Sequence, residues 1–158
     1  MNKIAELIKT DGTSLMRYAC YRLGDADDAK DVVQDLYLKL HSKYSEDGCE
    51  DVKDWKNYAF RTLSNLCADR LRSEERQATL HFDENFDIAE IPDEDHETDI
   101  SRIIRLLATI PKEQAEVIRL RIYGNNSFAD IAGILSLPLS TVKSRFLYGL
   151  EKIRQAMK

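Results

Sequence analysis

Residues that interrupt helices are scarce in this chain. Six glycines and three prolines among 158 residues leave long unbroken stretches, which argues against a turn-rich β fold and for helices. Cysteine is scarce as well. Cys20, Cys49 and Cys67 are widely spaced, form no CxxC pair, and have no histidine arranged around them. Ordinary reduced thiols in a cytoplasmic protein are therefore expected, rather than a zinc site. Long apolar runs are missing too. None approaches the ~18 residues needed to span a membrane, and the opening "MNKIAELIKTDG" lacks the apolar core and cleavage site of a signal peptide. What the chain does have is 43% hydrophobic residues, enough for helical cores, and 32% charged residues, which suits exposed helix faces.

One segment lacks basic residues altogether. Residues 77–100 hold nine acidic side chains and no Lys or Arg, and they include Pro92. Residues 1–76 hold 13 basic and 15 acidic side chains; residues 101–158 hold ten basic and four acidic. The net charge of −5 thus hides a nearly neutral first part (−2), an acidic tether (−9) and a basic last part (+6). The composition predicts an all-α protein of two small helical domains, 1–76 and 101–158, joined by an acidic linker at 77–100. Fully extended, such a linker spans at most ~80 Å; as a free coil it averages ~27 Å. Its acids could also lie against the basic domain and suppress binding of nucleic acid.

In the first domain, "DADDAKDVVQDLYLKLHSKY" (25–44) places Ala29, Val32, Val33, Leu36 and Leu40 on one helical face. The opposite side carries Asp27, Asp31, Gln34, Asp35 and His41, with Leu38 in its middle. An apolar residue ringed by Asp31, Gln34 and Asp35 reads as a small docking patch, or as a singly exposed leucine of the kind common on surfaces. Asp27, Asp31 and Asp35 recur at i, i+4 and i+8 and could hold Mg²⁺, as in all-α nucleotide pyrophosphatases. No second acidic pair on a facing helix accompanies them, so a solvated face is the expectation, with no metal and no cofactor.

The next helix, "WKNYAFRTLSNLCADRLRSEER", has Asp54 as its N-cap. Trp55, Ala59, Leu63 and Leu66 point inward, with Tyr58, Phe60 and Cys67 at the margins. Asn57, Arg61, Ser64, Asn65, Ala68 and Arg72 form the other face. Two cations and two amides with aromatics nearby suit a nucleic-acid strand; a mixed solvated face is the alternative. Arg70 falls towards the apolar side, where pairing with Glu74 is expected.

The basic part begins with an amphipathic stretch (101–110), followed by "PKEQAEVIRLRIYG" with Pro111 in its first turn. Gly124 and the following asparagines end that helix. Ser127 can cap "FADIAGIL", the turn "SLPL" follows, and Ser140 can cap a last helix to about Met157. There Val142, Phe146, Leu150, Ile153 and Met157 form an apolar stripe. Thr141, Ser144, Arg145, Tyr148 and Lys152 lie opposite, and Lys143 projects sideways. Two short helices joined by a tight turn, the second with hydroxyls and cations near its start, match helix-turn-helix readers of the major groove.

With these residues assembled, the chain resembles the extracytoplasmic-function (ECF) sigma factors of bacterial RNA polymerase, which carry only sigma-70 regions 2 and 4. "DAKDVVQDLYLKLH" is similar to the helix that binds the polymerase β′ clamp helices. "WKNYAFRTLSNLCADRLRSEER" is similar to the helix that recognises and opens the −10 element. "IPKEQAEVIRLRIYGNNSFADIAGILSLPLSTVKSRFLYGLEKIR" is similar to region 4, which reads the −35 element and rests on the β flap. The resemblance implies polymerase docking through Asp31, Gln34, Asp35 and Leu38, and −10 contacts from Asn57, Arg61, Asn65 and Arg72. It implies −35 contacts from Ser140, Thr141, Lys143, Ser144, Arg145 and Tyr148. It also implies a base pocket helped by the loop "SEDGCED", promoter DNA and core polymerase as partners, an anti-sigma factor as a further partner, and no catalysis. Ser136 stands where the family usually has Gly, and "FLYGL" follows "TVKSR" where the family often adds basic residues. A sigma mimic that only sequesters an anti-sigma protein would have no need of Asn65, Lys143 or Arg145.

Overall fold

Seven α-helices and one π-helical turn account for nearly all of the chain that the structure, a computed structural model, describes: residues 3–47, 52–80 and 99–157. The helices are α1 (Lys3–Leu23), α2 (Ala26–Asp47), α3 (Trp55–Leu80), α4 (Asp99–Ala108), α5 (Lys112–Ile118), α6 (Phe128–Leu135) and α7 (Leu139–Ala156). Arg119–Tyr123 forms the π-helical turn that continues α5. No strand occurs among the described residues. Most of the acidic linker (81–98) and the loop residues 48–51 lie outside them, and with them the expectations of a masking linker and a base-holding loop.

Local chemistry sets the helix limits. Gly24 ends α1 at φ 73°, a conformation that costs glycine nothing, and its N–H bonds to Cys20 O (2.8 Å). Asp25 Oδ1 accepts from Asp27 and Asp28 N–H at the start of α2 (2.8 and 3.0 Å). Asp54 Oδ1 accepts from Asn57 N–H (3.0 Å), and Ser127 Oγ from Asp130 N–H (3.0 Å), so both expected caps are in place. Ser140 is not a cap. Pro138 occupies that position and Ser140 falls inside the first turn of α7. Asn125, at φ 55°, takes the left-handed conformation after the π turn, while Gly124 stays at φ −79°.

Helix α1 is absent from the two-helix reading of the first domain. It supplies Ile4, Leu7, Leu15, Tyr18 and Ala19 to the core, packed with Val33, Leu36 and Leu40 of α2 and Phe60 and Leu63 of α3. That core does not stop at the first domain. Val117, Leu120, Ile131, Ile134 and Val142 belong to the same apolar cluster. The π turn lies against α1, and α6 against α3. Phe60 and Cys67, expected at the margins of α3, are fully buried because the second unit covers that side. A smaller cluster, Leu107, Ile110, Ala115 and Ile118, joins α4 and α5 to Phe146 and Ile153 of α7. On α7, Leu150 and Met157 depart from the expected stripe and are exposed; Gly149 takes the inward place.

Candidate polymerase and nucleic-acid interfaces

Burial of Val32, Val33, Leu36 and Leu40 turns the other side of α2 outward. Asp31, Gln34 and Asp35 are exposed, and Leu38 is 65% exposed. Arg70 of α3 leans over the start of this face. It donates to Asp28 (2.6 Å) and lies 3.5 Å from Glu74 and 3.8 Å from Asp31. The expected Arg70–Glu74 pair is present but secondary to Asp28. These pairings raise the Arg70 pKa, through Asp28 first and Glu74 after it. Among the described residues no group of His, Cys, Asp and Glu is arranged to hold a metal.

The face of α3 that carries Asn57, Arg61 and Asn65 is not open along its length. Arg61 Nε donates to Ile134 O (3.0 Å), and its Nη2 donates to Gly133 O (2.5 Å) and approaches Ser136 Oγ (3.4 Å). Asn57 is half-buried against α6, and its Oδ1 is buried without a hydrogen-bond partner among the described residues. Lys56 pairs with Asp130 of α6 (3.6 Å). Asn65 is exposed at the rim of a ~330 Å³ cleft that it shares with Arg61, Ser64 and residues 134–136. Arg72 is exposed and paired with Asp69. Sequence periodicity put Asn57, Arg61, Asn65 and Arg72 on one helical face; it gave no sign that α6 lies against Asn57 and Arg61.

Residues that bind the two units together went unread in the sequence. Glu116 of α5 is 8% exposed and gathers four partners. Tyr18 Oη donates to Oε1, as does Ser64 Oγ (3.0 Å). Arg22 pairs with Oε2, and Arg119 lies 3.8 Å from it. A buried carboxylate requires such neighbours, because the unpaired charge would be very costly. Burial, then Glu116, pushes the Tyr18 pKa well up. Burial opposes the Arg22 charge, but Tyr18 and Glu116 outweigh it and raise its pKa. Burial prevails at Arg119 and lowers its pKa. Beside this cluster, burial pushes the Cys67 thiol up to about 12. Tyr21 and Tyr123 stack across the seam with ring centroids 3.5 Å apart. The only clue in the sequence was an acid among apolar residues in "QAEVIRL".

Helix α7 presents a different picture. Ser140, Lys143, Ser144 and Tyr148 are exposed, Tyr148 at 64%; Thr141 and Arg145 are half-buried. Lys143 and Arg145 have no ion-pair partner among the described residues. The turn before α7 passes through Ser136 at φ 55°, a left-handed position where serine is less at ease than glycine. Near the start of α6, Arg121 covers the Phe128 ring (4.7 Å) and donates to Asn126 O (3.0 Å).

Comparison with known proteins agrees with this arrangement. Residues 7–77 match Sigma-70 region 2, and residues 106–155 match Sigma-70, region 4. The ECF RNA polymerase sigma factor SigL of Mycobacterium tuberculosis is 31% identical over 145 residues, covering 89% of this chain and 80% of that protein. The ECF RNA polymerase sigma factor SigW of Bacillus subtilis is 23% identical over 160 residues, covering 88% and 81%. Two solved structures share the fold. The sigma factor RpoE in complex with the anti-sigma factor NepR from Bartonella quintana has a TM-score of 0.72 at 23% identity, covering 97% of this chain and 94% of that one. CnrH in complex with the cytosolic domain of CnrY has a TM-score of 0.70 at 20% identity, covering 98% and 86%. An all-α chain with an outward acidic face on α2, a cationic α3 and a helix-turn-helix at its end, matched along both parts, belongs to the ECF RNA polymerase sigma factors.

Proposed function

We propose that this chain is a dissociable, non-catalytic specificity subunit that brings core RNA polymerase to promoters in the cytoplasm. The division of labour follows the units 1–76 and 101–158, with 77–100 as tether. Asp31, Gln34, Asp35 and Leu38 dock on the β′ clamp helices, acids around one apolar anchor. Asn57, Arg61, Asn65 and Arg72 take the single strand of the opened −10 element. There Arg grips phosphate, the amides meet base edges, and stacking offsets the cost of unpairing. Ser140, Thr141, Lys143, Ser144, Arg145 and Tyr148 read the −35 duplex, while region 4 rests on the β flap. An anti-sigma factor is a further partner, as NepR is for the sigma factor RpoE of similar fold.

The observation that carries this reading is the pair of cations Lys143 and Arg145, without an ion-pair partner among the described residues, on the first turns of a helix entered through a tight turn. The geometry suits insertion into the major groove, where early residues of the second helix meet base edges. Run-off transcription with core polymerase on a randomised promoter library tests it. Initiation should select two sequence elements at a fixed separation. If the chain produces no site-directed initiation, the reading fails.

A further inference from the structure

We infer that Leu147 is a base-reading residue of α7: its side chain takes the C5-methyl group of a thymine in the −35 element, an apolar contact beside the polar ones already proposed. The inference rests on the proposed −35 role of α7 and names a base class that this role would select. Val142 and Gly149 are the buried residues of α7, and they turn the opposite side of the helix outward. At about 100° per residue, the middle of that side runs through Ser140, Ser144, Leu147 and Glu151. All four are exposed, Leu147 to 65%. Leu147 stands one turn beyond Lys143 and Ser144 on the same face. A helix that sets those two against base edges carries Leu147 into the same groove. It lies ~4.5 Å further along the axis than Ser144, little more than the ~3.4 Å between successive base pairs.

Single exposed leucines are common on surfaces; the neighbours of this one give it a use. Towards the start of the helix stand two hydroxyls, Ser140 and Ser144, and Lys143, a cation without an ion-pair partner among the described residues. In the next turn Arg154 Nε and Nη2 donate to the two carboxylate oxygens of Glu151 (3.1 and 2.6 Å). That pair offers phosphate no spare cation, and the carboxylate repels it, so this stretch of the face does not grip the backbone. What is left for Leu147 is the groove floor. The apolar group there is the thymine methyl; the other groups on the base edges are donors and acceptors, which a leucine would strip of water without replacing the bond. A protein partner would need a wider apolar patch, roughly a few hundred Å². Leu150 is only 37% exposed, and Met157 lies ~15 Å from Leu147 along the helix.

Uracil tests this directly, because it pairs with adenine and keeps every donor and acceptor of thymine but lacks the methyl group. The probe is the promoter duplex that holoenzyme, formed from the full-length chain and core polymerase, selects from the randomised library. Each thymine of its −35 element, on either strand, is replaced in turn by uracil. At one position uracil should weaken binding about four-fold, the worth of one methyl group taken out of water. Such a loss should vanish with Leu147→Ala and persist with Leu147→Met, whose tip is still apolar; this dependence of one change on the other is what a direct contact produces. If the selected element holds no thymine, if no uracil is felt, or if Leu147→Ala feels it as the natural chain does, the methyl contact is wrong. The −35 role of α7 then survives as long as Lys143→Ala and Arg145→Ala weaken binding to that element. A Leu147→Ala chain that loses affinity for core polymerase while keeping its sensitivity to uracil would make this side chain a protein contact and overturn the inference as well. If neither cation matters at the element, the −35 role itself falls.

Discussion

Helices α2 and α3 look alike as sequence and differ as surface. Each buries an apolar stripe in the same core and turns a polar face away from it. On α2 that face is open, with Leu38 65% exposed. On α3 the corresponding face is bonded to α6, Arg61 to the carbonyls of Gly133 and Ile134 and Lys56 to the Asp130 carboxylate. Amphipathic period tells which side of a helix leaves its own bundle. It does not tell what waits on the other side. Charge gives the clue: α2 offers acids and one apolar anchor, whereas α3 offers cations and amides to which a helix C-terminus can bond.

The sharpest way to break the comparison is alkali. Cys67 sits at about 12 and Tyr123 at about 12, both raised chiefly by burial, and Tyr18 is raised well above its ordinary value. In each case the folded form holds its proton more tightly than the unfolded one. The stabilisation is complete below the unfolded pKa, near 9 for the thiol, and is lost as pH rises towards about 12. Cys67 alone accounts for several kcal/mol, at ~1.4 kcal/mol per unit. Thermal melting should fall steeply across that window, and Cys67→Ala should flatten the fall.

Next in size is Glu116→Ala, which strands Arg22 and Arg119 at the seam. It should cost ~3–5 kcal/mol in urea unfolding, while Glu116→Gln, which keeps the hydrogen-bond acceptor, costs less. An unchanged midpoint would mean the cluster contributes little. Arg145→Ala should lose ~1–3 kcal/mol of binding to −35 duplex and blur its base preference. A loss uniform across sequences, with a log-log salt slope smaller by about one, would assign Arg145 to phosphate instead. The smallest effect on stability belongs to Asp35→Lys. Unfolding should shift by no more than ~0.5 kcal/mol, and binding to core polymerase, measured by competition, should weaken clearly. A melted variant would show that the α2 face is not free.

Much of this was legible beforehand, for stated reasons. Helices α2, α3, α6 and α7 announce themselves through period and through the caps Asp54 and Ser127. Helix α1 does not, because Asp11 and Gly12 weaken the helical signal and only tertiary burial of Ile4, Leu7, Leu15 and Tyr18 carries the helix through them. The polar faces were readable residue by residue, so Leu38 and Lys143 are found where expected. The seam was not. Glu116, Tyr18, Arg22 and Ser64 stand 52 to 98 residues apart in their pairings, and no local pattern links residues so distant. Ser140 was misread because a Ser before a helix and a Ser in its first turn look the same until Pro138 is seen to set the start.

The continuous core across the two units has a thermal consequence. Val117, Leu120, Ile131 and Ile134 complete a core begun by the first three helices, so parting the units wets apolar surface and raises the heat capacity. Attraction of that kind weakens on cooling. Chill as well as strong heating should therefore loosen the grip of one half of the chain on the other.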